Sequence, residues 1–476
     1  MRLARFHALP KCIFVTAIVL QMAAIASSSS AFQEQHLSGL ALGELLWVAP
    51  DVYSTAALSG GQSINQTQAE QFFQQARDAC EQGDISAALQ WATRALCADP
   101  DHAGARRVLG YQRASDQWAG GYAARRLQRG KVWHPRFGWI RASDVARYEA
   151  GERRWGKRWL SAAEDARRHA KIKDGWLVRT DHFQIVTNHS RQAAAQLAMR
   201  LETLYQLWRQ LFGGFYLTKA ELLVRFDGKQ ASGYRRKPFQ VVYYRTRDQY
   251  NAALRRQQPR IGMTLGIYFD ATRTSHFFAG PEQDAGTIYH EVVHQLFQES
   301  TRSAKNVGAL ANAWAVEAVA CYFESLVEHT GQNGRYFTIG TAGAGRLPAA
   351  QHRRLVDHYY VPLAELSTLG TTDLQRRKDI ARLYSQSAGL ATFFMQYQEG
   401  AYRRPFTELL RQLYAGRDNP AMLEALIGVR YAKLDRQYQA FLEQLAAEIA
   451  APQVAPIDAV QSPQSPTNSG IMSPVQ

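Results

Sequence analysis

Cysteine is scarce in this sequence, with four in 476 residues. Cys12 lies in an N-terminal stretch that reads as a cleavable leader, and Cys80, Cys97 and Cys321 are scattered. That excludes a small scaffold stapled by disulfides, so stability must come from packed cores. Long apolar runs are missing too. The run at 12–26 is 15 residues long and contains Gln21, short of the ~20 apolar residues of a bilayer-spanning helix. Nothing downstream approaches that length, so no stable transmembrane span is expected. Acidic residues are the third deficit: 41 Asp and Glu stand against 56 Lys and Arg, a formal net charge of +15. A hydrophobic fraction of 46% nonetheless excludes a disordered or fibrous chain and predicts two or three packed domains.

Arg2, Arg5 and Lys11 precede the apolar run and small residues at 27–31 follow it, the pattern of a signal peptide. It predicts export to the periplasm or beyond, with a mature chain starting near Phe32; the alternative is a leader that stays uncleaved and acts as an anchor. Loss of those three cations leaves 15 − 3, or +12. For an exported protein, the anions drawn to such a surface are expected to be acidic envelope polymers.

Composition shifts divide the chain into a leader (1–31), a linker (32–68), a helical region (69–115), a basic connector (116–175), a catalytic domain (176–450) and a tail (451–476). Phe72, Ala76, Gly83, Ala88, Ala95 and Pro100 stand where a 34-residue tetratricopeptide-type hairpin needs them. One and a half such repeats make a helical cap rather than a concave binding surface. Between 106 and 173 lie 18 Lys/Arg and 6 Asp/Glu, interleaved with Trp133, Trp139, Trp155 and Trp159. Basic plus aromatic can bind single-stranded nucleic acid. Export argues against that partner, and a solvated basic face with packed tryptophans is the plainer expectation. From Trp176, strand patterns at 183–188, 239–245, 266–270 and 276–279 alternate with a helical pattern at 192–212, and mostly helical patterns fill 313–450. Sheet first and helices second predicts an α+β fold. The Pro-, Ser- and Gln-rich tail is expected to stay flexible.

The chemistry concentrates in His290-Glu291-Val292-Val293-His294, preceded by Asp284 as an N-cap and backed by an apolar stripe of Tyr289, Val292, Val293, Leu296 and Phe297. One helical turn stacks the two histidines on a single face, where both can reach one cation, while Glu291 projects beside it. A second apolar helix follows, Trp314-Ala315-Val316-Glu317-Ala318-Val319-Ala320-Cys321-Tyr322-Phe323-Glu324. An acid in such surroundings needs a partner, and a metal supplies one. Two histidines and one glutamate leave a fourth zinc position open for water, as hydrolysis requires. In that arrangement Glu291 is the general base. Glu324 lies on the face of Glu317 and can orient a ligand histidine or end the helix in solvent. Cys321 is expected to be a small core residue.

These two strings together resemble the glutamate-type zincins, the peptidase MA-like metallopeptidases. More narrowly, they resemble a family of exported bacterial proteins in which a zincin-like domain follows short helical repeats and a Trp-rich basic segment. The resemblance covers most of 133–412. It implies a zincin-like domain within the α+β class, a Zn2+ cofactor, Glu317 as third ligand and a peptide or protein substrate. It also implies Tyr384 as a hydrogen-bond donor to the oxyanion, and a sheet edge at 274–280 on which substrate lies as an added strand. Ala318 departs from the glycine such families commonly carry there. Two rival readings follow from the same residues: a metal-containing docking module of the cell envelope without catalysis, and a metallohydrolase acting on a non-peptide bond.

Overall fold

The computed structural model describes residues 43–53, 64–229, 237–331 and 334–450. The leader at 1–31 and the tail at 451–476 lie outside the described residues. Among those described, no helix is long and apolar enough to cross a membrane.

Strand β1 (Glu44–Trp47) is followed by helices α1 (Gln66–Glu81) and α2 (Ile85–Ala98). Asn65 caps α1 through the Gln68 amide, Gly83 turns the corner at φ +81°, and Asp84 caps α2 through the Ala87 amide. Ala76, Ala88, Ala92 and Ala95 are fully buried, so the two helices pack closely. Among the described residues, no second helical hairpin stacks on this pair. Instead a short helix at Ala103–Val108 and one at Lys219–Phe226, borrowed from the larger unit, close its open side. Phe73 meets Phe226 there, ring centres 5.4 Å apart.

The central sheet has β2 (Trp176–Arg179), β3 (Phe183–Thr187), β4 (Phe239–Tyr244), β5 (Ile267–Phe269) and β6 (Thr274–Phe278), in the order β5-β6-β4-β3-β2. Strand β4 runs parallel to β3 and β6, and the two outer strands are antiparallel to their neighbours. Helix α3 (Arg191–Leu211) and helix α4 (Ala285–Ser300) share one apolar core with Phe183, Ile185, Phe239, Val241 and Phe277. Successive strand residues point to opposite faces, so Phe278 joins Tyr244, Tyr250 and Ile261 in a smaller cluster on the other side. Helix α5 (Ala313–Phe323) packs behind α4, held by Trp314 against Phe394 and Phe406. The class is α+β.

Two expectations are corrected, for 32–68 and for 274–278, and two regions gain detail. The segment 32–68 is not all linker: β1 pairs antiparallel with β8 (Gly334–Ile339), itself in a hairpin with β7 (Val327–Gly331), and Leu46 is wholly buried. That hairpin also interrupts the region after 313 that reads as helical. Residues 274–278 are not an edge, because β6 is bonded on both sides; the edge is β5. The basic connector is an array of three hairpins, each followed by a short helix. Gln112–Ala114 pairs with Gln117–Ala119, Lys131–His134 with Gly138–Arg141, and Glu152–Trp155 with Arg158–Ser161. The helices are Gly121–Leu127, Val145–Glu149 and Ala162–Arg168.

Each unit of the array is tied to β2 or to the turn after it. Asp181 accepts from the Tyr122 and Ala123 amides at the start of the first helix. Gly138, at φ +64°, lets the second hairpin close on Val178, where a Cβ would lie 3.3 Å from Val178 Cγ1. Trp176 Nε1 donates to Asp165 at 2.8 Å in the third.

Candidate metal centre and cleft

Helix α4 starts at Asp284, whose carboxylate accepts from the Thr287 amide at 2.6 Å. Ile288, Tyr289, Val292, Val293, Leu296 and Phe297 are buried against the sheet, which turns His290, Glu291 and His294 to the opposite side. In α5, buried along the rest of its length, Val316 and Glu317 are the half-exposed residues, and both reach the same space. An acid at one of the two open positions of an otherwise apolar helix is a placement that only a partner stabilises.

The three side chains converge. His290 Nε2 and His294 Nε2 are 3.1 Å apart, and Glu317 Oε2 is 3.4 Å from the first and 3.5 Å from the second. Donors bound tetrahedrally to zinc at ~2.0–2.1 Å lie about 3.3 Å from one another. The triangle therefore fits one face of a zinc tetrahedron, and the donor set of two imidazoles and a carboxylate suits that ion. Burial opposes ionisation of Glu317, yet His294 and His290 hold its carboxyl well below the usual carboxylate range. Burial likewise opposes protonation of His290, but its hydrogen bonds to Cys321, Glu317 and Glu324 raise its pKa well above the ordinary value.

Glu324 Oε1 lies 2.8 Å from His290 Nδ1, which fixes the tautomer with the proton on Nδ1 and the Nε2 lone pair aimed at the triangle. Its other oxygen accepts from Arg346 Nε at 2.6 Å. Cys321 Sγ is 4.0 Å from Nδ1, on the side of the ring away from the triangle, and burial pushes its thiol up. It is not one of the converging donors.

Glu291 stands beside the triangle. Its Oε2 accepts from the backbone N–H of Tyr268 in β5 at 2.8 Å. Gly266 permits that approach: a Cβ there would lie 2.8 Å from Phe277 ring carbons and 3.3 Å from Glu291 Cγ.

No protein-family model matches this chain, and no curated protein does. What the site can do rests on its own geometry.

The site opens into a cleft of about 690 Å³, walled by β5 on one side and by Leu374, Gln375, Tyr384 and Tyr414 on others. Tyr384 comes from the helix α6 (Ile380–Gly400), its ring centre 6.3 Å from that of His290 and its hydroxyl accepting from Gln375 Nε2 at 3.3 Å. Burial, followed by the Glu317 carboxylate, raises its pKa far above the ordinary phenol value, so it remains an O–H donor. All six residues expected at the site from sequence thus share one neighbourhood: five at or around the triangle and Tyr384 on the cleft wall. Four further ones went unread. Tyr414 ends an amphipathic helix at Arg403–Tyr414 and feels the same carboxylate. Arg346 lies in the turn before Leu347–Leu355, Tyr268 acts through its backbone, and Gln375 comes from a six-residue helix. None carries a spacing or motif that sequence could single out.

Proposed function

We propose that the chain is a zinc-dependent metallopeptidase of the glutamate-zincin type, exported in mature form, that hydrolyses peptide bonds in peptide or protein substrates. The triangle of His290, His294 and Glu317, with edges of 3.1, 3.4 and 3.5 Å, carries the reading. These three would hold the ion. An ion held there would supply polarisation of a substrate carbonyl and would bring the pKa of water toward ~7.

Glu291, adjacent to the triangle but outside it, takes the proton of the attacking water and hands it to the leaving amine. The Tyr268 amide holds one of its oxygens, which leaves the other free to carry that proton. Tyr384 donates its O–H to the oxygen on which negative charge develops, and Tyr414 is a further phenol lining the cleft. Glu324 and Arg346 keep His290 in the ligand tautomer. An extended substrate pairs with the free side of β5, the strand that holds the base, so recognition and proton transfer share one element.

The test is zinc content together with hydrolysis of quenched peptides and casein by wild type, Glu291→Ala and His290→Ala. One zinc and cleavage in wild type, zinc without cleavage in Glu291→Ala, and loss of both in His290→Ala support the proposal. Absence of zinc in wild type overturns it. Stoichiometric zinc with no peptide cleaved by wild type favours the docking module.

A further inference from the structure

The hairpin array carries more cations than its acids can neutralise, and most of those acids are already committed. Glu152 binds Arg147, Asp144 binds Arg154, and Glu164 binds Arg168. Asp165 takes the Trp176 indole. Among the described residues, Arg126, Arg129, Lys131 and Arg141 form no ion pair. These four meet where the first helix ends and the second hairpin begins. Gly130, at φ +66°, turns the chain between them, and the hairpin register sets Lys131 directly opposite Arg141. Like charges facing across a strand pair destabilise it. Arg191, at the start of α3, joins the group, its Nε donating to the Phe137 carbonyl at 2.7 Å. Burial and then the four arginines lower the pKa of Lys131.

The aromatic rings of the array are already covered. Arg113 lies over Trp118, Arg147 over Trp159 at 4.0 Å, and Arg168 over Trp155. Tyr122 has Arg126 and Arg179 over it at 5.2 and 4.6 Å. Rings so occupied are poor platforms for stacking bases or sugars. A guanidinium laid on a ring is held with its N–H edge outward, which suits paired bonds to carboxylates.

We propose that the face formed by Arg126, Arg129, Lys131, Arg141 and Arg191 docks an acidic stretch of polypeptide. Only the further step of calling that polypeptide a substrate rests on the peptidase reading. The array is tied to β2 and the cleft opens at β5, four strand spacings of ~4.8 Å away, or about 19 Å. At ~3.3 Å per extended residue, a chain needs about six residues between the docked acids and the scissile bond. The docked face therefore selects long substrates and is invisible to short ones.

The experiment measures binding of poly-L-glutamate to the full chain carrying Glu291→Ala, with and without Lys131→Gln plus Arg141→Gln, by fluorescence anisotropy. Size-matched single-stranded DNA and polygalacturonate serve as comparison probes. Poly-L-glutamate is expected to bind most tightly, to weaken as salt rises, and to bind the double variant about tenfold more weakly. The same variant is expected to melt at a higher temperature, because the opposed like charges are gone. Weaker binding by a more stable protein cannot come from misfolding. Equal binding by the variant overturns the proposal, as does tighter binding of DNA or polygalacturonate than of poly-L-glutamate. A second arm uses the chain with Glu291 intact. There the substitutions are expected to raise KM about tenfold for an acidic protein and leave a six-residue peptide unchanged. Binding does not depend on hydrolysis, so absence of peptidase activity would not affect the first arm.

Discussion

Replacing Glu324 with alanine tests the centre without touching a donor of the triangle. Its carboxylate accepts from His290 Nδ1 at 2.8 Å and from Arg346 Nε at 2.6 Å, both with charge assistance, and its side chain is only 12% exposed. Alanine leaves the Nδ1 proton beside the buried Cys321 thiol with no carboxylate to hold it, so the ring is free to turn and to change tautomer. Loss of such an outer partner lowers metal affinity about 10- to 100-fold, or roughly 1.4 to 2.7 kcal/mol. Glutamine keeps an acceptor but loses the charge, and its effect is expected near the lower end, about tenfold. Zinc affinity measured by competition with a chromogenic chelator, with circular dichroism as a check on folding, gives the answer. A folded Glu324→Ala protein that binds zinc within about twofold of wild type would refute the reasoning, because the second oxygen and its arginine would then be idle.

Gly266→Ala forces a methyl group against Phe277 and Glu291 Cγ, and a base displaced by a fraction of an ångström is expected to lower kcat at least about tenfold while zinc stoichiometry stays at wild type. Tyr384→Phe is expected to lower kcat by about 100-fold or more with KM and zinc little changed, and the parallel Tyr414→Phe variant decides which hydroxyl reaches the oxyanion. His276, inside β6, has its pKa lowered by burial to about 4 from 6.5. The folded protein therefore binds that proton more weakly than the unfolded chain does. Stability is unaffected above pH ~6.5 and falls as pH drops from there to ~4, by about 3 kcal/mol for 6.5 − 4 units. Urea unfolding across that range should lose this slope in His276→Leu.

What sequence makes legible here is what local periodicity controls. One turn of helix brings His290 and His294 together, and the apolar surroundings of Glu317 mark it as an acid in need of a partner. Glu324 follows from its face on the same helix, although whether it turns to His290 or to water depends on Arg346, 22 positions on. The position of Tyr384 came from resemblance alone. Long-range pairing is where the reading fails. Ile267–Phe269 and Thr274–Phe278 look alike in isolation, and only their neighbours decide which is the edge. The unbroken burial of Ser275, His276, Phe277 and Phe278 is the mark of an inner strand. The Gly-Gln-Asn-Gly string at 331–334 was a readable turn signal for the hairpin at Val327–Ile339. The array had a periodicity of its own: Trp118, Trp139 and Trp159 recur 21 and 20 residues apart, each in the second strand of a hairpin.

The pairing of Glu44–Trp47 with Gly334–Ile339 sets a clock on folding. Glu44 lies opposite Ile339, 295 positions later. At ~5–20 residues per second, a ribosome needs about 15 to 60 s to cover that interval. Throughout it, the segment around Leu46 is a sticky strand with both edges open, the kind of surface that chaperones shield and aggregates recruit. A strand made this early is thus among the last to find its place, and substitutions that weaken it, such as Leu46→Ser, are expected to show in yield of folded protein before they show at the cleft.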